Sequence, residues 1–265
     1  KIFSRININF LKLQIENELS LKTKSKIGKS NFVINKSKSI ATYEINKNSF
    51  EYSFFDKLDN PKFFYKGKFN FKPFYSIIDG VTEELRLSHL FDSSGFIAQL
   101  LKTEIINNKN VDFKLNISAE KIHDNLNFKN VKLISKIQEG LIDMDKTKFE
   151  WKNFAKFKLL ESLIYIKDGE LVLDGKIEIN IKNYNDIYKY LLTPKSYRNK
   201  IKKVDFNFTY NFDQNLANLK DIKIDNKIKN NVNKILNSIV LKKDKLQNKI
   251  YLKNLLNEAI KSYAG

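Results

Sequence analysis

The chain has 265 residues, 42% of them apolar and 13% aromatic, which suits one large domain or two small ones, and its 21 Phe and 12 Tyr exclude a solvated coil. With no Cys and two His, a disulfide scaffold, a thiolate zinc site and a cysteine nucleophile are excluded, and a histidine metal site has little to draw on. The formal charge is +18, yet all but three of the 48 basic residues are Lys, so the Arg-rich pattern of a nucleic-acid reader is missing and no nucleic-acid partner is expected.

Period two dominates from the first residues. Ile6, Ile8 and Phe10 alternate with Asn7 and Asn9, and Leu11, Leu13 and Ile15 continue in the opposite phase, which predicts a bulge at Phe10-Leu11. Phe50, Tyr52 and Phe54 form a short alternating run, and Phe63, Tyr65, Gly67, Phe69 and Phe71 a longer one. Glu83 to Ile106 reads as one or two helices broken near Ser93-Ser94-Gly95. Val111, Phe113, Leu115 and Ile117 then predict a strand, followed by Val131, Leu133 and Ile137, a turn at Glu139-Gly140, and a strand marked by Phe149 and Trp151.

Lys167-Asp168-Gly169 is the clearest hairpin signal, because Asp-Gly is the preferred pair for a primed turn. Beyond it Leu171, Leu173, Gly175, Ile177, Ile179 and Ile181 hold one phase, and Gly175 suggests a bend or a close backbone approach. Tyr184, Ile187, Tyr188 and Leu191 have helical spacing, with Pro194 as the stop. Val204, Phe206, Phe208, Tyr210 and Phe212 predict a second long strand, and Leu219, Ile222 and Ile224 another. Helices are expected at Ile228–Ile239 and from Leu252 to Tyr263, with Lys242–Gln247 between them as a solvated linker or a helix continuation.

The expected fold is therefore mainly β with helical inserts: long antiparallel strands in a curved, groove-forming sheet over residues 1–225, then a C-terminal helical segment over 226–265. Several strands are longer than the usual 5–6 residues or so, and each is apolar on one face only. An apolar face that large needs a cover, either protein or lipid. Shielding a chain of about 16 carbons is worth on the order of 13 kcal/mol at about 0.8 kcal/mol per CH₂, and it requires no catalytic group. Leu171, Leu173, Ile177, Ile179, Val204, Phe206, Phe208 and Tyr210 are the expected groove lining. Scattered Lys residues also suit an anionic lipid surface, at about 1 kcal/mol each. The alternative is a closed β core acting as a protein-binding or scaffold module, with the Ile228–Ile239 helix as its contact.

Motifs for chemistry are weak. Gly28-Lys29-Ser30 lacks the first glycine of a phosphate-binding loop, because position 23 is Thr. Asp143 and Asp145 read as a solvated strand face beside Lys146 and Lys148. His89 and His123 have no metal-ligand spacing: His89 reads as a partly buried helix residue and His123 as part of a polar turn. No nucleophile elbow or dinucleotide fingerprint occurs. An enzyme is not expected, nor is a cofactor or a metal. No stretch reaches the roughly 18 uncharged apolar residues of a membrane span, and the N-terminal residues alternate instead of forming an apolar leader.

In order along the chain, Phe69-Asn70-Phe71-Lys72-Pro73-Phe74, a segment ending at Leu100-Leu101, Glu139-Gly140-Leu141-Ile142-Asp143, the arm Gly169 to Ile177, Tyr184 to Pro194, and the strands at Ile201–Phe212 and Leu219–Asp225 resemble the C-terminal region of AsmA-like proteins, the group that includes TamB-type bacterial envelope proteins. The resemblance covers 69–225. It implies a periplasmic, bridge-like protein anchored to the inner membrane, with an apolar groove for phospholipid transport or outer-membrane assembly and with envelope protein partners. The N-terminal membrane helix of that family is not in this chain and is expected upstream of Lys1. The family carries no established catalytic residues, so the resemblance implies none here.

Overall fold

The computed structural model describes residues 1–9, 12–21, 25–34, 36–86, 99, 101–103, 107–108, 110–123, 125–237, 241–242, 245 and 248–264. Strands β1 (Ile2–Ile8), β2 (Leu13–Leu21), β3 (Lys26–Ile34), β4 (Ser37–Ile45), β5 (Ser49–Phe55), β6 (Phe63–Phe71) and β7 (Phe74–Leu85) form an antiparallel meander. Next, β8 (Asp112–Ile122) lies parallel to β7, with Tyr75 opposite Asp112. The antiparallel order then resumes through β9 (Asn125–Gln138), β10 (Leu141–Asp143), β11 (Lys148–Trp151), β12 (Ala155–Lys167), β13 (Glu170–Ile181), β14 (Lys203–Asn211) and β15 (Leu216–Ile224).

Both β10 and β11 pair with β9 and with β12, so they are two halves of one interrupted strand. Thirteen inter-strand steps of about 4.8 Å then separate β1 from β15, roughly 60 Å across the sheet. Short strands β16 (Lys227–Ile228) and β17 (Leu241–Lys242) lie on the outer edge of β15. Helices α1 (Tyr184–Leu191), α2 (Asn230–Asn237) and α3 (Lys249–Ala264) and a 3-10 turn at Lys195–Tyr197 follow in the C-terminal part.

Both primed hairpins form where turn chemistry places them. Asp168 and Gly169 take φ of 52° and 79°, and Glu139 and Gly140 take 50° and 77°, the left-handed pair such a turn requires. From β2 to β7 the registers run without a shift. In the C-terminal half they break, with left-handed residues at the breaks: Asn130 in β9, Glu161 in β12 and Asp221 in β15. Bulges of this kind add local twist and bend the strands that carry them.

Several sequence expectations change. β1 ends at Ile8, which pairs with Leu13, so the phase reversal at Phe10-Leu11 marks a hairpin between two strands, not a bulge within one; those two residues lie outside the described set. Glu83, Glu84 and Leu85 belong to β7, because parallel pairing of Glu84 and Leu85 with Lys121 and Ile122 of β8 outweighs their helical propensity. Ser93-Ser94-Gly95 and His89 lie outside the described residues, whereas Gln99, Leu101 and Lys102 are helical. Ile228 sits in β16 ahead of α2, and Ile239 lies outside the described residues. Gly28-Lys29-Ser30 is part of β3 and forms no loop.

Asp143 and Asp145 are not a solvated face. They flank buried Met144 at the interruption between β10 and β11. Asp145 Oδ1 accepts from the Ser162 N–H at 2.8 Å, and Asp143 Oδ1 accepts from the Asp145 N–H at 2.7 Å. Here the carboxylates replace ladder bonds that the interruption removes.

Candidate functional site

Cross-strand registers align one apolar face along the sheet. On β4 to β6, Ala41 faces Phe54 and Phe54 faces Tyr65, while Tyr43 faces Tyr52 and Tyr52 faces Gly67. On β13 and β14, Leu173 faces Tyr210, Ile177 faces Phe206 and Ile179 faces Val204. The opposite face carries ion pairs such as Lys68–Glu51 at 2.7 Å and Lys203–Glu178 at 2.8 Å. What differs along the apolar face is its cover, and three regions follow one another.

Over β3 to β8 the face is an open trough of about 1100 Å³. Phe32, Tyr43, Phe50, Tyr52, Phe54, Tyr65 and Phe69 line it together with Ile45, Ile78 and Leu115. These aromatic rings are half-buried against one another: Tyr52 stacks on Phe69 at 5.8 Å and Phe54 packs on Phe63 at 5.3 Å. Three tyrosines each lie across a glycine directly opposite on the next strand: Tyr43 over Gly28, Tyr52 over Gly67 and Tyr65 over Gly80. A Cβ at any of these glycines would come within 2.1–2.4 Å of the ring. The missing side chains let the rings lie down on the sheet, which keeps the trough open above them.

Polar groups mark both ends of the trough. At one end Asn17 Oδ1 accepts from Ser30 Oγ at 2.9 Å and from Tyr43 Oη at 2.5 Å. At the other, Glu84 pairs with His123 Nδ1 at 2.7 Å and Lys121 Nζ at 2.9 Å. Hydrogen bonds from His123 and then Lys121 hold the Glu84 carboxyl down at about 2.

The middle of the face is closed. Leu101, 2% exposed, stands in a core cluster with Ile117, Leu133, Ile142, Ile164 and Leu171. Beside it Lys102 Nζ pairs with Asp213 Oδ1 at 2.7 Å, and Asp213 Oδ2 accepts the Leu171 N–H at 2.6 Å. Leu101 and Lys102, which fall between β7 and β8 in the chain, thus lie against the β13 region from the apolar side.

Beyond this core, α1, α2 and α3 cover β11 to β15 and leave a cavity of about 600 Å³ with an apolar wall throughout. Asn183 caps α1 by accepting the Asp186 N–H at 3.1 Å, and Leu192 ends it in the left-handed region at φ 61°. Asn257 of α3 ties the two helices, donating to Leu191 O at 2.6 Å and accepting from Thr193 Oγ1 at 2.5 Å. Asn233 of α2 clasps β15, accepting the Ile222 N–H at 2.8 Å and donating to Ile222 O at 3.1 Å. An apolar wall offers water no hydrogen-bond partner.

Of the lining expected from the sequence, Leu173, Ile177, Ile179, Val204, Phe206, Phe208 and Tyr210 meet at this cavity. They lie beneath helices, not in the open. Leu171 does not join them; it is buried in the central core under Leu101. Sequence reasoning missed the trough as a site, although the alternating Phe and Tyr of β5 and β6 and the Gly opposite each Tyr were its signal. Among the described residues no three His, Asp or Glu side chains converge as metal ligands, and no helix is long and apolar enough to cross a membrane. Comparisons with protein-family models, curated proteins and solved structures returned no match.

Proposed function

We propose that this chain is a non-enzymatic lipid-handling protein that shields acyl chains on the apolar face of its sheet. The observation that carries this reading is the open aromatic trough over β3 to β8, about 1100 Å³, on a face that elsewhere receives a protein cover. An aromatic face left open beside regions that are covered suits an apolar occupant. The resemblance to AsmA-like proteins adds the setting: a periplasmic protein anchored to the inner membrane, serving phospholipid transport or outer-membrane assembly beside envelope protein partners.

The second reading, a scaffold or protein-binding module, draws on the helices that cover β11 to β15. One experiment separates them. The protein is incubated with phosphatidylethanolamine and phosphatidylglycerol vesicles, re-isolated without detergent and weighed by native mass spectrometry, then assayed for lipid exchange between vesicles. Bound phospholipid and exchange that falls with Phe54→Asp at unchanged melting temperature support the lipid reading. Absence of both in the unmodified chain overturns it in favour of the scaffold.

A further inference from the structure

We propose that the cavity under α1, α2 and α3 is a binding site for one anionic single-chain lipid, its tail in the cavity and its charged head between Lys152 and Lys253. This deepens the lipid reading above but uses residues remote from the open trough. The tail site rests on size and wall: about 600 Å³ falls within the range of small-molecule pockets, and its lining offers no polar atom to bind a headgroup. An amphiphile therefore needs its polar end elsewhere, and the surroundings of Trp151 supply a place.

Trp151 is both part of the cavity wall and part of an aromatic cluster, with its ring 5.4 Å from Tyr190 and 5.0 Å from Phe154. Over Tyr190 stand two ammonium groups, Lys152 Nζ at 4.6 Å and Lys253 Nζ at 4.2 Å from the ring centroid. One comes from the turn after β11 and the other from α3. Lys152 holds a left-handed backbone (φ 49°), and its N–H donates to Asn127 O at 2.8 Å. Among the described residues neither ammonium has a carboxylate within ion-pair distance. Both ammoniums are half-buried and lie near one ring, and an anionic headgroup beside that ring would reach positive charge from two elements. The carboxylate of a fatty acid has the required charge, and its tail suits the adjoining wall. A free phosphate has the charge without the tail.

Trp151, the single Trp of the chain, gives a readout in the unmodified protein. Titration with a bromine-labelled fatty acid is expected to quench its fluorescence saturably at one equivalent, and palmitate is expected to reverse the quenching. The double variant Lys152→Glu/Lys253→Glu is expected to weaken palmitate binding about tenfold or more while leaving hexadecanol binding unchanged. Inorganic phosphate alone is expected not to displace the fatty acid. No quenching of Trp151, equal loss of palmitate and hexadecanol, or displacement by phosphate overturns the proposal. Phe54→Asp separates this site from the trough. It is expected to lower vesicle exchange and leave the quenching unchanged; in the unmodified chain, quenching with no vesicle exchange leaves this site standing and overturns the trough reading. Exchange without quenching does the reverse.

Discussion

Tyr52 lies across Gly67 on the neighbouring strand, so close that a Cβ on residue 67 would stand 2.4 Å from Cε1 of the ring. Gly67→Val must therefore lift the ring off the sheet. A strand interior normally gains up to about 1 kcal/mol when Gly is replaced, but here overpacking costs about 1–3 kcal/mol. We expect net destabilisation of about 1–2 kcal/mol in urea unfolding, together with lower lipid uptake because the raised ring narrows the trough. Tyr52→Ala in the same chain should recover part of the stability, and the double-mutant cycle measures the coupling. A Gly67→Val chain as stable as the parent would show that the ring has somewhere else to go.

Asn233 of α2 bonds both the N–H and the C=O of Ile222, a residue of the edge strand β15 that is 2% exposed. β16 reaches Lys223 and Ile224, and β17 reaches Leu216 and Ala217, so the Asn side chain stands in for a strand between them. Asn233→Ala leaves two buried backbone groups without partners, which costs about 1–3 kcal/mol. Hydrogen exchange at the Ile222 amide should accelerate more than exchange at the β13–β14 ladder. Equal acceleration at both would mean that the substitution acts globally.

How far the fold was legible depends on what period two can report. Alternation assigns a face to each residue, and Leu173, Ile177, Phe206 and Phe208 do share one wall. Asp168-Gly169 fixed the β12–β13 hairpin because its turn chemistry is local. Alternation is silent on what covers a face. Leu101 lies far from Leu171 in sequence yet shares its core cluster, and α3, later in the chain, lines the cavity. The open trough and the covered cavity therefore looked alike as strings. Glu83-Glu84-Leu85 was misread for a related reason: its strand state depends on parallel pairing with β8, which no local pattern announces.

Alkaline pH should destabilise the protein through Tyr188 and Tyr165. Burial pushes the Tyr188 hydroxyl up to about 12, and it donates to Asn199 O. The hydrogen bond to Asp174 holds Tyr165 up at about 12. Both are raised above the ordinary 10.0, so the folded state keeps protons that the unfolded chain releases. The contribution is complete below pH 10 and is lost as pH rises toward about 12. Tyrosinate absorbance should therefore rise together with unfolding. A chain with Tyr165→Phe and Tyr188→Phe should show a flatter stability profile above pH 10. An unchanged slope would assign the alkaline loss to other groups.

Leu101 and Lys102 make neighbouring contacts of different kinds, and their substitutions should rank accordingly. The Leu101 side chain is enclosed by the central core and has no water to fall back on. Leu101→Ala removes that packing and leaves space between β8 and β13, which costs about 2–5 kcal/mol. Lys102 and Asp213 are each a quarter exposed, so solvent screens their attraction. Lys102→Ala should cost about 1 kcal/mol or less, because Asp213 still accepts the Leu171 N–H. Urea unfolding of the two variants tests the order directly, and added salt should reduce only the Lys102 effect. A Lys102→Ala loss equal to that of Leu101→Ala would mean that the ion pair, not the apolar contact, holds the segment against the sheet.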